Sequence, residues 1–520
     1  MVPDDKQSLD EWRLQARKSV RTFYQALERL LKRHQPIAYA SAAARRLLAA
    51  GDDIEKLRRA PPHRILHSIE ANCAYARGQN HDPVGPYRLN KVLNVYHSFA
   101  DPLQLRVVGE SVQHLMLIMN RQQLELQYKH SGYDLARAQR LFISDTPMPR
   151  CAQEFLSEHG LTMEEWCQLS FLYSAVAQEA QGRCFPRAQL WRELPIRFKG
   201  SEECSEAFIR MSSQTPDQIR TTYRELRSKV ALEYHTLIRS VFLSKPIIDF
   251  GEAGLLAPLP QLLLRNSWAG IYQAVREMAP FGKEFGDSFQ AYVEQLLDCD
   301  EQKQRVLASK DLERHTSRRS CDFLVERPDE MILIETKAAT FSHDFLTEKA
   351  ILDDNSTIKV AEGMEQIYGT AYDIGEGALA PLSIRSDKPL LGIVVTFGDL
   401  FIPNSKWYFE KFILEKAKDK LSAPIYPNEA LDRPIVLSIQ ALERFVEYLN
   451  TSGTRALDLR KEKDQQEFAL VGDWDVYLKN KLNSCTEPIK HLPIMRREFD
   501  DFFQQMGLQG WDDRDRQEDN

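Results

Sequence analysis

The chain has 520 residues, of which 43% are hydrophobic and 28% are charged. This length and composition exclude a disordered protein and are sufficient for two or more packed cores. No apolar run reaches the roughly 20 residues that a membrane-spanning helix needs. The first residues carry acid where an export signal would carry base. We therefore expect a cytoplasmic protein with no membrane partner.

Charge divides the chain into two different halves. Residues 1–250 contain 35 Lys and Arg against 28 Asp and Glu, whereas the remaining residues contain 33 against 47. A nucleic-acid partner gains backbone affinity from Lys and Arg that displace counterions. Such a partner should therefore find phosphate contacts more easily on the first half.

The eight cysteines form no CxxC pair and no Cys/His cluster with zinc spacing. They are predicted to be buried thiols in a reducing compartment.

Residues 1–245 show helical periodicity and almost no strand signals. Residues 12–31 predict an amphipathic helix with a basic face, and similar segments follow at 36–49, 64–77, 102–130, 151–159, 163–181 and 217–243. An all-α domain is predicted here, and we expect it to bind the substrate, a partner protein or a second copy of the chain.

One helical pair within this half deserves comparison with DNA-binding folds. Gly160 is a helix stop, and Thr162 with Glu165 forms a capping box that starts the next helix. That second helix opens with acidic and apolar residues, whereas a recognition helix needs basic or amide side chains. The pattern favours an ordinary helical hairpin over a helix-turn-helix reader.

The pattern changes near residue 245, where short apolar runs bounded by Gly and Pro predict two brief strands or a linker. Helices and strands then alternate, which is typical of an α/β or α+β domain. The predicted elements are a helix at 287–297, strands at 320–326 and 331–337, a helix at 358–372, a strand at 390–397 and a strand and helix at 434–449. The predicted divisions are a helical domain at 1–245, a connecting segment at 246–283, an α/β domain with a central mixed sheet at 284–508 and a disordered acidic tail at 509–520.

The segment CDFLVERPDEMILIETKAAT predicts a β-hairpin, because two apolar runs flank the turn residues Arg327–Asp329. Side chains two apart on a strand share a face, so Glu335 and Lys337 should project together while Asp322 lies on the paired strand. Two carboxylates and one ammonium group can therefore converge.

Carboxylate oxygens, with the carbonyl of Thr336 and waters, are ligands that Mg²⁺ prefers. A bound metal acidifies water and neutralises charge on a phosphate, and a neighbouring lysine can orient that water. This combination indicates phosphodiester hydrolysis. The alternative is that the charged residues simply mark where the strands meet water.

The order of helix, Asp-bearing strand, turn, strand ending Glu-x-Lys and helix resembles the PD-(D/E)XK nuclease superfamily, which has the restriction-endonuclease-like fold, over residues 284–400. The resemblance implies that Asp322 and Glu335 bind Mg²⁺, for which Mn²⁺ can substitute. It makes Lys337 the catalytic lysine. It also implies that Gln366, on the following helix, contacts the scissile phosphate or the lysine.

The first helix departs from the family pattern. Many relatives carry Phe-Glu where this chain has Phe289 and Gln290, so the usual acid is missing. Glu294, one turn later, or Glu284, near the helix start, could complete the metal site. Each could equally be a surface glutamate.

These observations predict a metal-dependent nuclease that acts on DNA, an endonuclease rather than an exonuclease, with Arg318 and Arg319 contacting nucleic acid. No Walker A or GxGxxG motif supplies an ATP motor. A nuclease domain behind a helical region resembles effectors of prokaryotic antiviral defence. The alternative is a catalytically inactive nuclease-like adaptor that assembles partners through its helices.

Overall fold

The computed structural model describes residues 6–51, 53–77, 84–99, 126, 132–145, 147–187, 202–316, 318–340, 348–400, 404–417, 431–465 and 474–508. The chain forms two compact units, one of residues 1–279 with 499–510 and one of residues 280–498 with 511–520. Residues 246–279, which the sequence predicts as part of a connecting segment, belong to the first unit. The predicted acidic tail, 509–520, lies outside the described residues.

The first unit is built mainly of α-helices. Their bounds are α1 Lys6–Leu31, α2 Pro36–Ala50, α3 Ile54–Arg59, α4 Pro62–Tyr75, α5 Pro86–Ser98, α6 Gly132–Ala138, α7 Pro149–His159, α8 Met163–Glu179, α9 Glu202–Ser212, α10 Pro216–Ser228, α11 Gln261–Arg265 and α12 Ile271–Val275. Two π-helical segments, Gln139–Ile143 and Asn266–Gly270, continue α6 and α11. Buried apolar residues recur along these helices, as the periodicity predicted.

The predicted helical hairpin is confirmed. Gly160 ends α7 in the left-handed conformation, and Thr162 and Glu165 form the reciprocal capping box of α8. The predicted helix at 102–130 lies outside the described residues, apart from Leu126.

The predicted helix at 217–243 is wrong beyond Ser228. The chain continues as two 3₁₀ segments, Leu232–Leu237 and Val241–Leu243. The buried carboxylate of Glu70 accepts hydrogen bonds from the Ser240 hydroxyl and the Val241 amide, at 2.6 and 3.1 Å. These bonds hold the second segment against α4, which local periodicity does not reveal.

A small sheet interrupts the helical unit. Its strands are β1 Ser213–Gln214, β2 Ile247–Asp249 and β3 Leu255–Leu256, with β2 between a parallel and an antiparallel neighbour. The two brief strands predicted after residue 245 are therefore confirmed. The all-α prediction for residues 1–245 is wrong at β1, whose Ser-Gln sequence carries no strand signal.

The second unit surrounds a five-stranded mixed sheet. The strands are β4 Arg305–Ala308, β5 Phe323–Glu326, β6 Met331–Lys337, β7 Leu390–Thr396 and β8 Ile435–Ser438, in the spatial order of their numbers. β4, β5 and β6 pair antiparallel, whereas β6, β7 and β8 pair parallel. The predicted mixed sheet is confirmed, and β4 was not predicted.

Helices connect and cover these strands. They are α13 Phe281–Asp298, α14 Ser309–Leu312, α15 Glu348–Asp353, α16 Asn355–Gly375, α17 Lys406–Tyr408, α18 Leu414–Ala417, α19 Ile439–Ser452, α20 Ala456–Asp464, α21 Trp474–Asn483 and α22 Pro493–Gln505, whose last residues belong to the first unit. A π-helical segment, Phe409–Ile413, lies between α17 and α18. α16 makes the crossover between the parallel strands β6 and β7 and packs on both. α13 packs against β6 and α19.

Two predictions about the chain as a whole can be compared with this fold. All eight cysteines are free thiols, four of them buried and four partly buried. Of the helices that the structure describes, none has the length and apolarity of a bilayer-spanning segment.

Candidate active site

The pairing of β5 with β6 places Asp322 beside Glu335. Phe323 lies opposite Ile334 in the antiparallel register, so the residue before β5 meets the residue after Ile334. The main-chain amide of Asp322 donates a hydrogen bond to Oε2 of Glu335 at 3.0 Å. The predicted hairpin is therefore confirmed, and its open end brings the two acidic residues together.

Glu335, Lys337 and Gln366 form one hydrogen-bonded chain. The Nζ atom of Lys337 donates to Oε1 of Glu335 at 2.6 Å and to Oε1 of Gln366 at 2.7 Å. The Nε2 atom of Gln366 donates to the carbonyl of Ser320 at 3.1 Å. Gln366 is thus fixed from both sides, and it holds the lysine ammonium beside the glutamate.

The carboxylate of Asp322 has its own donors. The main-chain amide and the hydroxyl of Thr336 donate to Oδ2 at 2.8 and 2.5 Å, and Nε2 of Gln290 donates to Oδ1 at 3.3 Å. The α13 position at which the resemblance implied an acid therefore does reach the site, but it brings an amide. We expected an acid from Glu294 or Glu284 instead.

Those two glutamates occupy different environments. Glu294 lies one turn beyond Gln290 with an exposed side chain, and no hydrogen bond joins it to Asp322 or Glu335. Glu284 is buried in the first turn of α13. Glu294 is therefore not part of the hydrogen-bonded group around Asp322.

A glycine lets α16 lie directly on the site. A Cβ atom at Gly363 would stand 3.1 Å from Cγ1 of Val394 and 3.4 Å from Cγ of Glu335. The helix therefore approaches β6 and β7 at a distance that any larger residue would increase. This close packing buries Glu335 and brings Gln366 within reach of Lys337.

Burial and charge shift the titration of Glu335. Its side chain is fully buried, and burial together with the neighbouring Asp322 carboxylate raises its pKa to about 7, against the opposing effects of Lys337 and Arg319. Two carboxylates in one desolvated place repel each other. A cation between them would reduce that repulsion.

The donor chemistry fits Mg²⁺, since it consists of two carboxylates with an amide side chain beside them. In the described part of the chain, no group of three or more His, Cys, Asp and Glu side chains is arranged to hold a metal. Each carboxylate oxygen of Asp322 and Glu335 accepts a hydrogen bond from the protein. Thr336 contacts Asp322 through its amide and hydroxyl, while its predicted role as a ligand uses its carbonyl.

The two predicted nucleic-acid contacts lie on the segment that leads into Asp322. Arg318 and Arg319 are both exposed. The guanidinium of Arg318 lies 5.1 Å from the ring centre of Tyr372 and 3.7 Å from Oδ1 of Asp373, both on α16. Arg319 is close enough to Glu335 to lower its pKa.

Sequence reasoning missed one cation at the site. Lys359, two turns before Gln366 on the same helix, donates to the carbonyl of Ala338 at 3.3 Å. Burial and the charge of Lys337 lower its pKa. The spacing of seven residues from Gln366 was the available signal, because such residues share one helix face.

Searches of protein-family models, curated proteins and solved structures found no match to this chain.

Proposed function

We propose that this chain is a metal-dependent nuclease of the PD-(D/E)XK type that hydrolyses phosphodiester bonds in DNA. One observation carries the proposal: Asp322, Glu335, Lys337 and Gln366 lie in one hydrogen-bonded group at the open end of a β-hairpin, beneath the crossover helix α16. A strand end that only meets water would not bury its glutamate completely.

Asp322, Glu335 and the carbonyl of Thr336 would hold Mg²⁺ or Mn²⁺. When bound, the metal supplies an acidified water and offsets negative charge on the phosphate. Lys337 keeps its ammonium group beside Glu335, where it would orient the nucleophile and stabilise developing charge. Gln366 positions the lysine by accepting one of its protons in a hydrogen bond.

The surroundings of the site suit a polyanion. Arg318 and Arg319 are exposed beside it, and backbone phosphates are bound chiefly by Arg and Lys. The helical unit would add affinity through its positive balance or recruit a partner or second copy. A cytoplasmic effector of antiviral defence is the role that we propose for this combination.

A cleavage assay tests the proposal. Purified protein is incubated with linear and circular DNA, and with RNA, in Mg²⁺, Mn²⁺ or EDTA. We expect metal-dependent cleavage of DNA that falls by about 10²–10³-fold in Lys337→Ala, the size typical of removing one charge-stabilising donor. Glu335→Gln should lose a comparable amount, because it removes a ligand while keeping the side-chain shape.

Glu487→Gln is the matched control. It makes the same change at an exposed glutamate outside the site, so it should cleave like the wild type. Cleavage that survives in both Lys337→Ala and Glu335→Gln, with folding unchanged, would refute the proposal.

The second candidate is an inactive nuclease-like adaptor. It is favoured by one observation, the amide of Gln290 at the position of the family's usual acid, where it donates to Asp322. If the wild type binds DNA or a partner but cuts nothing in either metal, and both site variants bind equally well, the adaptor role is supported.

A further inference from the structure

Two cationic side chains lie along α16, one on each side of the buried pair Asp322 and Glu335. Lys359 lies toward the helix start, Gly363 contacts Glu335, and Arg318 lies against the helix near its end. The order of these groups along the helix axis is therefore cation, acid pair, cation.

The spacing of these groups along the axis of α16 follows from the rise per residue of a helix. Lys359 and Gly363 are separated by about 6 Å along the axis, and Lys359 and Tyr372 by about 20 Å, at 1.5 Å per residue. A strand carries one phosphate per roughly 3.4 Å of duplex axis, so this span corresponds to about six phosphates. The acid pair lies inside the span.

Lys359 has capacity for an anion. Lys359 donates one of its three ammonium protons to the Ala338 carbonyl, and no carboxylate in the described part of the chain lies within ion-pair distance of it. It is half-buried and shares its surroundings with the positive charge of Lys337. An anion beside Lys359 would offset this effect.

Arg318 also has capacity for an anion, although its side chain lies against α16 and is more exposed than that of Lys359. Its side chain is 37% exposed, lies over the ring of Tyr372 and is 3.7 Å from Asp373, which orients it while leaving part of the guanidinium in solvent. A Cβ atom at Gly369 would stand 3.2 Å from Cδ of Arg318, so this glycine makes room for the side chain along the helix. Arginine held in this way can receive a phosphate without a large loss of side-chain freedom.

We infer that a DNA strand crosses the site along α16, bound by Lys359 on one side of the acid pair and by Arg318 on the other, so that the enzyme cuts within a strand and needs no free end. This inference rests on the proposed nuclease function and deepens it. An exonuclease would need only one of the two binding positions, because its substrate ends at the scissile bond.

The test compares closed circular DNA, in single-stranded and duplex form, with the same sequence made linear. In Mg²⁺, we expect circles to be cut at a rate within about threefold of linear DNA. Lys359→Gln and Arg318→Gln should each raise KM about fivefold to tenfold with little change in kcat, which is the effect of one lost phosphate contact.

Binding gives a second readout that does not depend on cleavage. Lys359→Gln and Arg318→Gln are each combined with Lys337→Ala, and binding of single-stranded DNA is measured in EDTA at several salt concentrations. The slope of log affinity against log salt should become smaller in magnitude by about 0.7 in each. Lys359→Arg should keep the slope because it keeps the charge. Arg385→Gln, an exposed arginine that precedes the start of β7 at the other end of the sheet, is the matched control and should change neither readout.

The outcomes separate this inference from the proposed function. Cleavage of linear DNA with intact circles would overturn the crossing strand and leave the nuclease proposal standing. Cleavage of circles with KM and salt slope unchanged in both variants would overturn the path along α16. If neither form is cut in Mg²⁺ or Mn²⁺, the nuclease proposal fails and this inference fails with it.

Discussion

The two ends of the β5–β6 hairpin are both buried and charged, but they are organised differently. At the turn, Arg327 donates to Glu330 at 2.5 Å and to Gln302 at 2.7 Å, and its Nε lies 3.2 Å from Asp300. The Glu330 carboxylate also accepts the first amides of α20, from Ala456 and Leu457. At the open end, the Lys337 ammonium donates to Glu335, whereas Asp322 accepts from the uncharged groups of Thr336 and Gln290.

The two ends of the hairpin also shift the pKa of their glutamates in opposite directions. Burial raises the pKa of Glu335 to about 7 with help from Asp322. At Glu326, burial would also raise the pKa, but hydrogen bonds from Lys388 and Arg305 hold it below its ordinary value. Removing one partner of a buried ion pair leaves a costly unpaired charge, and two like charges side by side also oppose burial. The open end is therefore the end at which a cation would be gained.

Arg327→Met should be the most damaging change to stability. It leaves Asp300 and Glu330 buried without their cation, which costs about 3–5 kcal/mol in comparable cases. Denaturant unfolding of the two proteins measures this loss. The fraction that stays folded should cleave DNA at the wild-type rate, because the turn lies at the far end of the hairpin from Lys337.

Adding Glu330→Gln to Arg327→Met is the control for this effect. It removes one of the two unpaired charges, so part of the lost stability should return. If Arg327→Met has the same free energy of unfolding as the wild type, the ion pairs of Arg327 contribute nothing to stability. The contrast between the two ends of the hairpin would then disappear.

The sequence was sufficient for the hairpin and for the meeting of Asp322, Glu335 and Lys337, because a period of two and a tight turn are local signals. It was not sufficient for Gln290 or Lys359. Their contacts join α13 to β5 and α16 to the end of β6. Such contacts depend on how helices pack across a sheet, which local patterns do not specify.

Strand β4 and the segment after Ser228 also depend on contacts with distant parts of the chain. β4 exists through its pairing with β5 and is half-exposed along its length, and its apolar run of three residues is too short to predict a strand. The segment after Ser228 follows the buried Glu70 in α4 rather than its own helical periodicity.

Gly363→Ala should leave the protein about 1–3 kcal/mol less stable than Gly375→Ala, because overpacking at the open end opposes the helix-propensity gain that both variants share. The added methyl group would press on Val394 and on the Glu335 side chain. Gly375→Ala is the matched control in the same helix, because no atom lies within 4 Å of its added Cβ. There the change should be neutral or stabilising by up to about 1 kcal/mol. Equal unfolding of the two variants would show that α16 does not lie as close to Glu335 as described.

Lys388→Met should reduce the stability of the protein by an amount that depends on pH, because Lys388 pairs with Glu326. A glutamate with a lowered pKa stabilises the fold above its unfolded pKa of about 4.3, and this contribution is lost as pH falls through the lowered folded value. The variant should therefore cost about 1.5 kcal/mol at pH 7 and clearly less near pH 3. Unfolding curves at both pH values measure the difference. A cost that is the same at both would show that Lys388 acts by packing and not through Glu326.

Gln290→Glu should have the smallest effect, and it would introduce the acid that is usual in the nuclease superfamily the sequence resembles. In EDTA, the new carboxylate loses the hydrogen bond to Asp322 and adds a third negative charge, so the protein should unfold about 1 kcal/mol more easily than the wild type. In Mg²⁺, three carboxylates hold the cation better than two, and binding to the folded state raises stability. The rise in Tm on adding Mg²⁺ should therefore be larger in this variant than in the wild type. Gln504→Glu, an exposed change on α22, should show the wild-type rise. If Mg²⁺ stabilises Gln290→Glu no more than this control, the side chain at 290 does not face a cation site, and the open end differs from the turn only in having fewer partners for its charges.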